Sequence, residues 1–146
     1  MQESKYEVIN WKRWKMTKEL LVRTKNELYR DIKAILYDDS LPGSNKTVVQ
    51  KYNKLIDDIE KYDDHIKAYD FMINRLEDAI ANLLNEKQRT VIIIYANNPN
   101  KGDSRKRENE ALEKGFSRTY FYELIDEAFK ILDTVLSIPL KNELVD

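Results

Sequence analysis

The 146-residue sequence contains no cysteine, three glycines, three prolines and a single histidine. Without cysteine, neither a disulfide framework nor a thiolate metal site can form. His65 lies beside Asp63 and Asp64, but one imidazole cannot complete a transition-metal set, so this cluster reads as a solvated helix flank. No apolar stretch approaches the roughly 20 residues of a membrane span, so no membrane association is expected. The start, Met1-Gln2-Glu3-Ser4-Lys5, lacks the apolar core of a secretory signal. A cytoplasmic protein is the expectation, and the lack of cysteine fits a reducing compartment. Glycine-rich phosphate loops and nucleophile elbows are missing too. The acidic pairs Asp38-Asp39 and Asp57-Asp58 have no pocket-forming sequence around them. No catalytic residue, metal or cofactor is therefore expected, and the chain does not read as an enzyme.

What is present is charge and helical periodicity. Charged residues make up 35% of the chain and apolar ones 42%, a balance that suits long helices with one buried stripe. Trp14, Leu21, Leu28 and Ile35 recur every seven residues, with Leu20 and Ile32 beside them. They predict a first helix from about Tyr6 or Met16 to Tyr37. Trp11 and Trp14, at helical spacing, read as core or interface rather than as base-stacking residues. Asp38 to Asn45, with Pro42 and Gly43 inside it, is the clearest loop.

A second helix from Gln50 to Leu84 carries the strongest pattern. Tyr52, Ile59, Ile66, Ile73 and Ile80 fall seven apart, and Leu55, Tyr62, Tyr69, Leu76 and Leu83 follow three residues later. Five unbroken heptads predict a coiled-coil helix about 50–60 Å long. Each buried Ile or Leu stabilises by roughly 1.5–3 kcal/mol, so the stripe demands a partner. Either the first helix folds back on it, or a second copy covers it. Ile at one heptad position with Leu at the other favours a dimer.

Further on, Val91 to Tyr95 form an apolar run that fits strand or buried helix. Ala96 to Asp103 read as a loop. A short helix follows from Asp103 or Ser104 to Lys114, stopped by Gly115. Ser117 caps a last helix, Arg118 to about Ser137, which Pro139 closes. Its expected buried face is Phe121, Leu124, Ile125, Ala128, Ile131, Leu132 and Val135. The fold class is thus all-α. Residues 1–84 form a helical hairpin with the long coiled-coil helix, 85–138 a helix-turn-helix module, and 139–146 a flexible tail.

Short helix, Gly-Phe-Ser and longer helix outline a helix-turn-helix. The first helix needs a small residue where the second crosses it, a place for Ala111 unless the helix is rotated so that Leu112 packs instead. The turn needs a residue tolerant of positive φ, supplied by Gly115. Residues 86–118 carry 8 basic and 5 acidic side chains, whereas 119–146 carry 2 and 6. The basic excess therefore coincides with the motif. The expected base-reading residues are Ser117, Arg118, Thr119, Tyr120, Tyr122 and Glu123 at the start of the second helix. Arg105, Lys106 and Arg107 are expected on phosphates.

The stretch from Leu84 to Leu136 resembles the helix-turn-helix of sigma-factor region four. The likeness rests on Leu84, Arg89, Val91, Ile92 and Tyr95, then Ala111, Gly115, Phe116 and Ser117, then Ala128 and Leu132. With Leu41-Pro42-Gly43 and the Tyr- and Ile-rich helix in front, residues 41–137 resemble phage late-transcription regulators of the ArpU and RinA type. That resemblance implies a phage or prophage protein of Gram-positive bacteria. It would act in the bacterial host cytoplasm, bind double-stranded DNA near a promoter, activate transcription and meet host RNA polymerase. Two other classes fit the same layout. A phage small terminase subunit joins a helix-turn-helix to a coiled coil in large rings, and a coiled-coil adaptor binds no DNA.

Overall fold

A computed structural model describes residues 3–37 and 45–136, without the side chains of 35–37 and 45–48. The Pro42-Gly43 loop, Pro139 and the 139–146 tail lie outside the described residues. All described regular structure is helical: α1 Glu3–Tyr37, α2 Asn45–Leu83, α3 Glu86–Asn97, a 3-10 turn Lys101–Asp103, α4 Ser104–Glu113 and α5 Arg118–Leu136. The apolar run 91–95 is therefore helix, lying inside α3. No described helix is long and apolar enough to cross a membrane.

Two compact units divide the chain differently from the expected boundary at residue 84. One comprises residues 1–14 and 72–146, the other residues 15–71. The core of the first unit joins Val8 of α1 and Leu76, Ala79 and Ile80 of α2 to the apolar faces of α3, α4 and α5. On α5 the buried face is Phe121, Leu124, Ile125, Ala128, Phe129, Leu132 and Leu136, with Ile131 and Val135 half-buried at its edge. Phe129 and Leu136 thus take the inner positions because α1 and α3 cover that side: Tyr95 of α3 meets Phe129 edge-on at 5.4 Å.

α1 begins at Glu3, earlier than its apolar stripe predicts. Ser4, Glu7 and Val8 are all buried, at spacings that share one helix face. Two of the three are polar, so hydrophobic periodicity cannot see them. The first turn of a helix has free backbone N–H groups. Here Asp133 of α5 accepts from the Ser4 N–H at 3.0 Å, and Ser4 Oγ donates to the Phe129 carbonyl at 3.1 Å. Arg75 of α2 completes the tie: one terminal nitrogen donates to Glu7 at 3.1 Å and to the Leu136 carbonyl at 3.2 Å. Each contact satisfies a group that would otherwise be left open, so the N-terminal segment is held to α5 by polar ties as well as by Val8.

The second unit is an antiparallel pair. Lys18 pairs with Asp70 and Lys25 with Asp63. Seven residues forward on α1 match seven backward on α2, the register of a heptad seam. Ile32 and Ile59 are buried, while Leu21, Leu28, Tyr52, Leu55, Tyr62, Ile66 and Tyr69 remain half-buried. In the first unit the heptad pattern of α2 gives way. Leu83 is 41% exposed, whereas Leu84 and Ala79 are buried. A helix of 3.6 residues per turn drifts about 20° per heptad, and here α3 and α5 decide which side faces inward.

Burial raises the Glu7 pKa, outweighing the attraction and hydrogen bond of Arg75 that lower it. A carboxyl with a raised folded-state value binds its proton more tightly when folded. Its contribution is full below the ordinary carboxylate range and is lost as pH rises through the folded value. Glu7→Gln keeps an acceptor for Arg75 without the buried charge. Urea unfolding across pH should show the Glu7→Gln variant gaining on wild type as pH rises through the raised value; a gap that moves the other way contradicts the assignment. Glu7→Ala, which removes the charged partner of Arg75, should lose about 1.5–3 kcal/mol.

Candidate nucleic-acid interface

α3 is launched by a capping box: Asn85 accepts from the Gln88 N–H at 2.9 Å, and the Gln88 side chain accepts from the Asn85 N–H at 3.0 Å. Arg89 donates to the Ala81 carbonyl at 3.0 Å, tying α3 to the end of α2. At its other end, Asn98 folds back to donate through its side chain to the Ile94 carbonyl at 3.2 Å. The chain then turns through the 3-10 segment into α4.

The α4–α5 connection decides the geometry. Gly115 has φ +88°, the left-handed region. The Phe116 N–H donates to the Ala111 carbonyl at 2.8 Å, and the Gly115 N–H donates to the Leu112 carbonyl at 3.0 Å. This is the Schellman pattern of helix termination, in which the residue after the glycine contacts the helix it has just left. Phe116 and Ala111 are accordingly buried together in the core. Of the two registers open to α4, the one with Ala111 inward is adopted, and Leu112 is 62% exposed. Ser117 Oγ accepts from the Tyr120 N–H at 3.2 Å and caps α5.

This turn places the expected base-reading residues unevenly. Ser117, Arg118, Thr119, Tyr120 and Glu123 are exposed along the start of α5. Tyr122 is half-buried against the core, edge-on to Phe121 at 5.1 Å, so it does not stand clear of the surface. Arg118 Nε lies 2.5 Å from Glu108 Oε1 of α4. Arg105, Glu108 and Leu112 share one face of α4 by their spacing, so this pair brings the start of α5 alongside the face that carries Arg105.

Arg105 and Lys106 are exposed. Arg107 corrects the expected phosphate set. It is buried, it donates from one nitrogen to the Asn98 carbonyl at 2.5 Å and the Asn100 carbonyl at 2.7 Å, and its guanidinium stacks 5.1 Å from the Tyr95 ring. Its charge serves the α3–α4 loop, because loop carbonyls left without partners inside the protein destabilise it. Lys87 was not singled out by the sequence. Its Nζ lies 5.9 Å from the Tyr120 ring, which places a cation from α3 beside the exposed start of α5. Only the basic excess over 86–118 hints at it, without choosing it.

Among the described residues, no group of three His, Asp or Glu is placed to hold a metal ion. Comparison with protein-family models, curated proteins and solved structures finds no match.

A Cβ built on Gly115 meets nothing within 4 Å, so substitution there is opposed by backbone strain alone. Gly115→Ala should lose about 1–2 kcal/mol and Gly115→Asn less, because Asn tolerates this conformation better. Thermal unfolding of the three proteins checks the order; equal stability of Ala and Gly contradicts the turn.

Proposed function

We propose that this chain is a sequence-specific DNA-binding transcription regulator, reading double-stranded DNA with the start of α5. The observation that carries the reading is the left-handed turn at Gly115, which buries Ala111 and leaves the first turn of α5 exposed beside the face of α4 that carries Arg105. A helix delivered this way offers its N-terminal side chains to the major groove. Arg118 and Thr119 are the base readers, since Arg pairs with guanine by two hydrogen bonds and Thr touches a thymine methyl. Arg105, Lys106 and Lys87 hold phosphates, which position the protein without reading sequence. The acidic residues Asp126 and Glu127 lie further along α5, away from the end that enters the groove. The resemblance to phage late regulators supplies the setting: activation of phage or prophage genes in a bacterial host, with host RNA polymerase as partner and no catalytic role.

The test is titration of a selected duplex at several salt concentrations. Arg118→Ala should lose about 1–3 kcal/mol of binding and relax the preference at one base pair. Lys106→Ala should weaken binding to every sequence alike and flatten the salt dependence by about one unit of slope. Arg107→Ala should instead lower the thermal stability. Weak, salt-independent binding by wild type and variants alike ends the DNA reading and leaves the adaptor reading.

The 15–71 unit is the proposed dimer element. Its seam leaves seven large apolar or aromatic residues half-buried, surface that a second copy would cover. Mass in solution should correspond to two chains, and Ile66→Asp should return it to one, because a charge cannot be buried unpaired. A ring-sized mass supports the small terminase alternative, and a wild-type monomer rules out both assemblies.

A further inference from the structure

Arg118 is the proposed base reader, yet its guanidinium is already engaged by a carboxylate. The ion pair is asymmetric in two respects. The Glu108 side chain is 19% exposed and that of Arg118 is 78% exposed, so the acid is the more enclosed partner and the base the one that faces solvent. The contact is made by Nε, 2.5 Å from Glu108 Oε1. The Nε edge faces α4, and the two terminal nitrogens are the ones left for an outside acceptor. A guanidinium is planar, so holding one edge fixes the plane of the other.

We propose that Glu108 is the specificity-determining positioning residue of the DNA interface, holding Arg118 so that its terminal nitrogens meet a guanine edge in one orientation. The proposal rests on the DNA reading above. Two effects of Glu108 follow, and they act in opposite directions on affinity. Its carboxylate fixes the arginine plane, which sharpens the choice of base. Its negative charge, close to the duplex, opposes the phosphates and weakens binding to every sequence. The first raises the ratio of specific to non-specific affinity; the second lowers both affinities alike. An unrestrained arginine would do the reverse, swinging to the nearest phosphate and gaining affinity without selectivity. An ion pair whose arginine is open to solvent contributes little to folding, so removing Glu108 should change recognition rather than stability.

The experiment is a double-mutant cycle on the full chain: wild type, Glu108→Ala, Arg118→Ala and the double variant. Each is titrated against a duplex selected by wild type, the same duplex with one base pair changed, and an unrelated duplex, with thermal unfolding in parallel. Wild type should discriminate at one base pair by about 5- to 150-fold, the span of a bidentate arginine contact. Glu108→Ala should lose most of that discrimination while binding the unrelated duplex as tightly as wild type or a few-fold tighter, with unchanged thermal stability. Glu108→Gln, which keeps an acceptor oxygen, should restore part of the discrimination. The double variant should discriminate no worse than Arg118→Ala alone, because the two residues act as one unit. Full discrimination by Glu108→Ala, or losses that add in the double variant, overturns the positioning role while the DNA reading stands. If Arg118→Ala discriminates like wild type, Arg118 is not the base reader and the positioning role fails while the DNA reading stands; if wild type selects no duplex, the DNA reading fails and the positioning role with it.

Discussion

The left-handed residue at 115 is the constraint on which the candidate interface depends. A right-handed residue there would carry α4 onward instead of returning the chain across it. The two reverse hydrogen bonds into Ala111 and Leu112, the burial of Phe116 against the end of α4 and the exposed start of α5 all follow from that one torsion. It also settles the register of α4. With Phe116 folded back onto Ala111, the small residue faces inward and Leu112 outward, although leucine is the more hydrophobic of the two. Space at the helix crossing decides, and a leucine there would keep the helices apart.

Around that turn, the same residue type performs opposite tasks according to its surroundings. Arg107 and Arg118 lie on the two helices joined at Gly115. Arg107 meets two loop carbonyls and an aromatic face, and is withdrawn from solvent. Arg118 meets a single carboxylate through one edge and projects outward. A guanidinium offers five donors in a fixed fork, so it can staple a loop or present itself to a ligand. The number of acceptors already around it selects between the two. Charge counted along the sequence cannot make this distinction, and the basic excess at 86–118 includes cations, Arg89 and Arg107, whose guanidinium groups are bonded to backbone carbonyls of the fold.

Polar ties, rather than a longer apolar stripe, place the first helical turns in the unit that carries the candidate interface. Asp133 satisfies the start of α1, and Arg75 satisfies the end of α5 while pairing with buried Glu7. A buried ion pair of this sort contributes little net stability against an apolar replacement. It ties three helices at one place, however, because Arg75 of α2 reaches both Glu7 of α1 and the Leu136 carbonyl of α5. Helices α3 to α5 and the first described turns of α1 are therefore in one compact unit, even though residues 15–71 between them form another.

The sequence alone determined those features governed by local chemistry: the helices other than the 91–95 run, the positive φ at Gly115, the cap at Ser117 and the heptad seam around Ile59. Each depends on neighbours within a few residues, so periodicity and capping residues suffice to locate it. Only the tertiary structure decided that α1 starts at Glu3, that Leu84 replaces Leu83 in the core, that Phe129 and Leu136 line the inner face of α5, that Arg107 is internal and that Lys87 and Glu108 stand beside the start of α5. These depend on partners far apart in the chain, such as Ser4 with Asp133 or Glu7 with Arg75. A polar side chain looks solvated in sequence until the fold supplies its partner, and only then is it clear whether its charge faces the protein or the solvent.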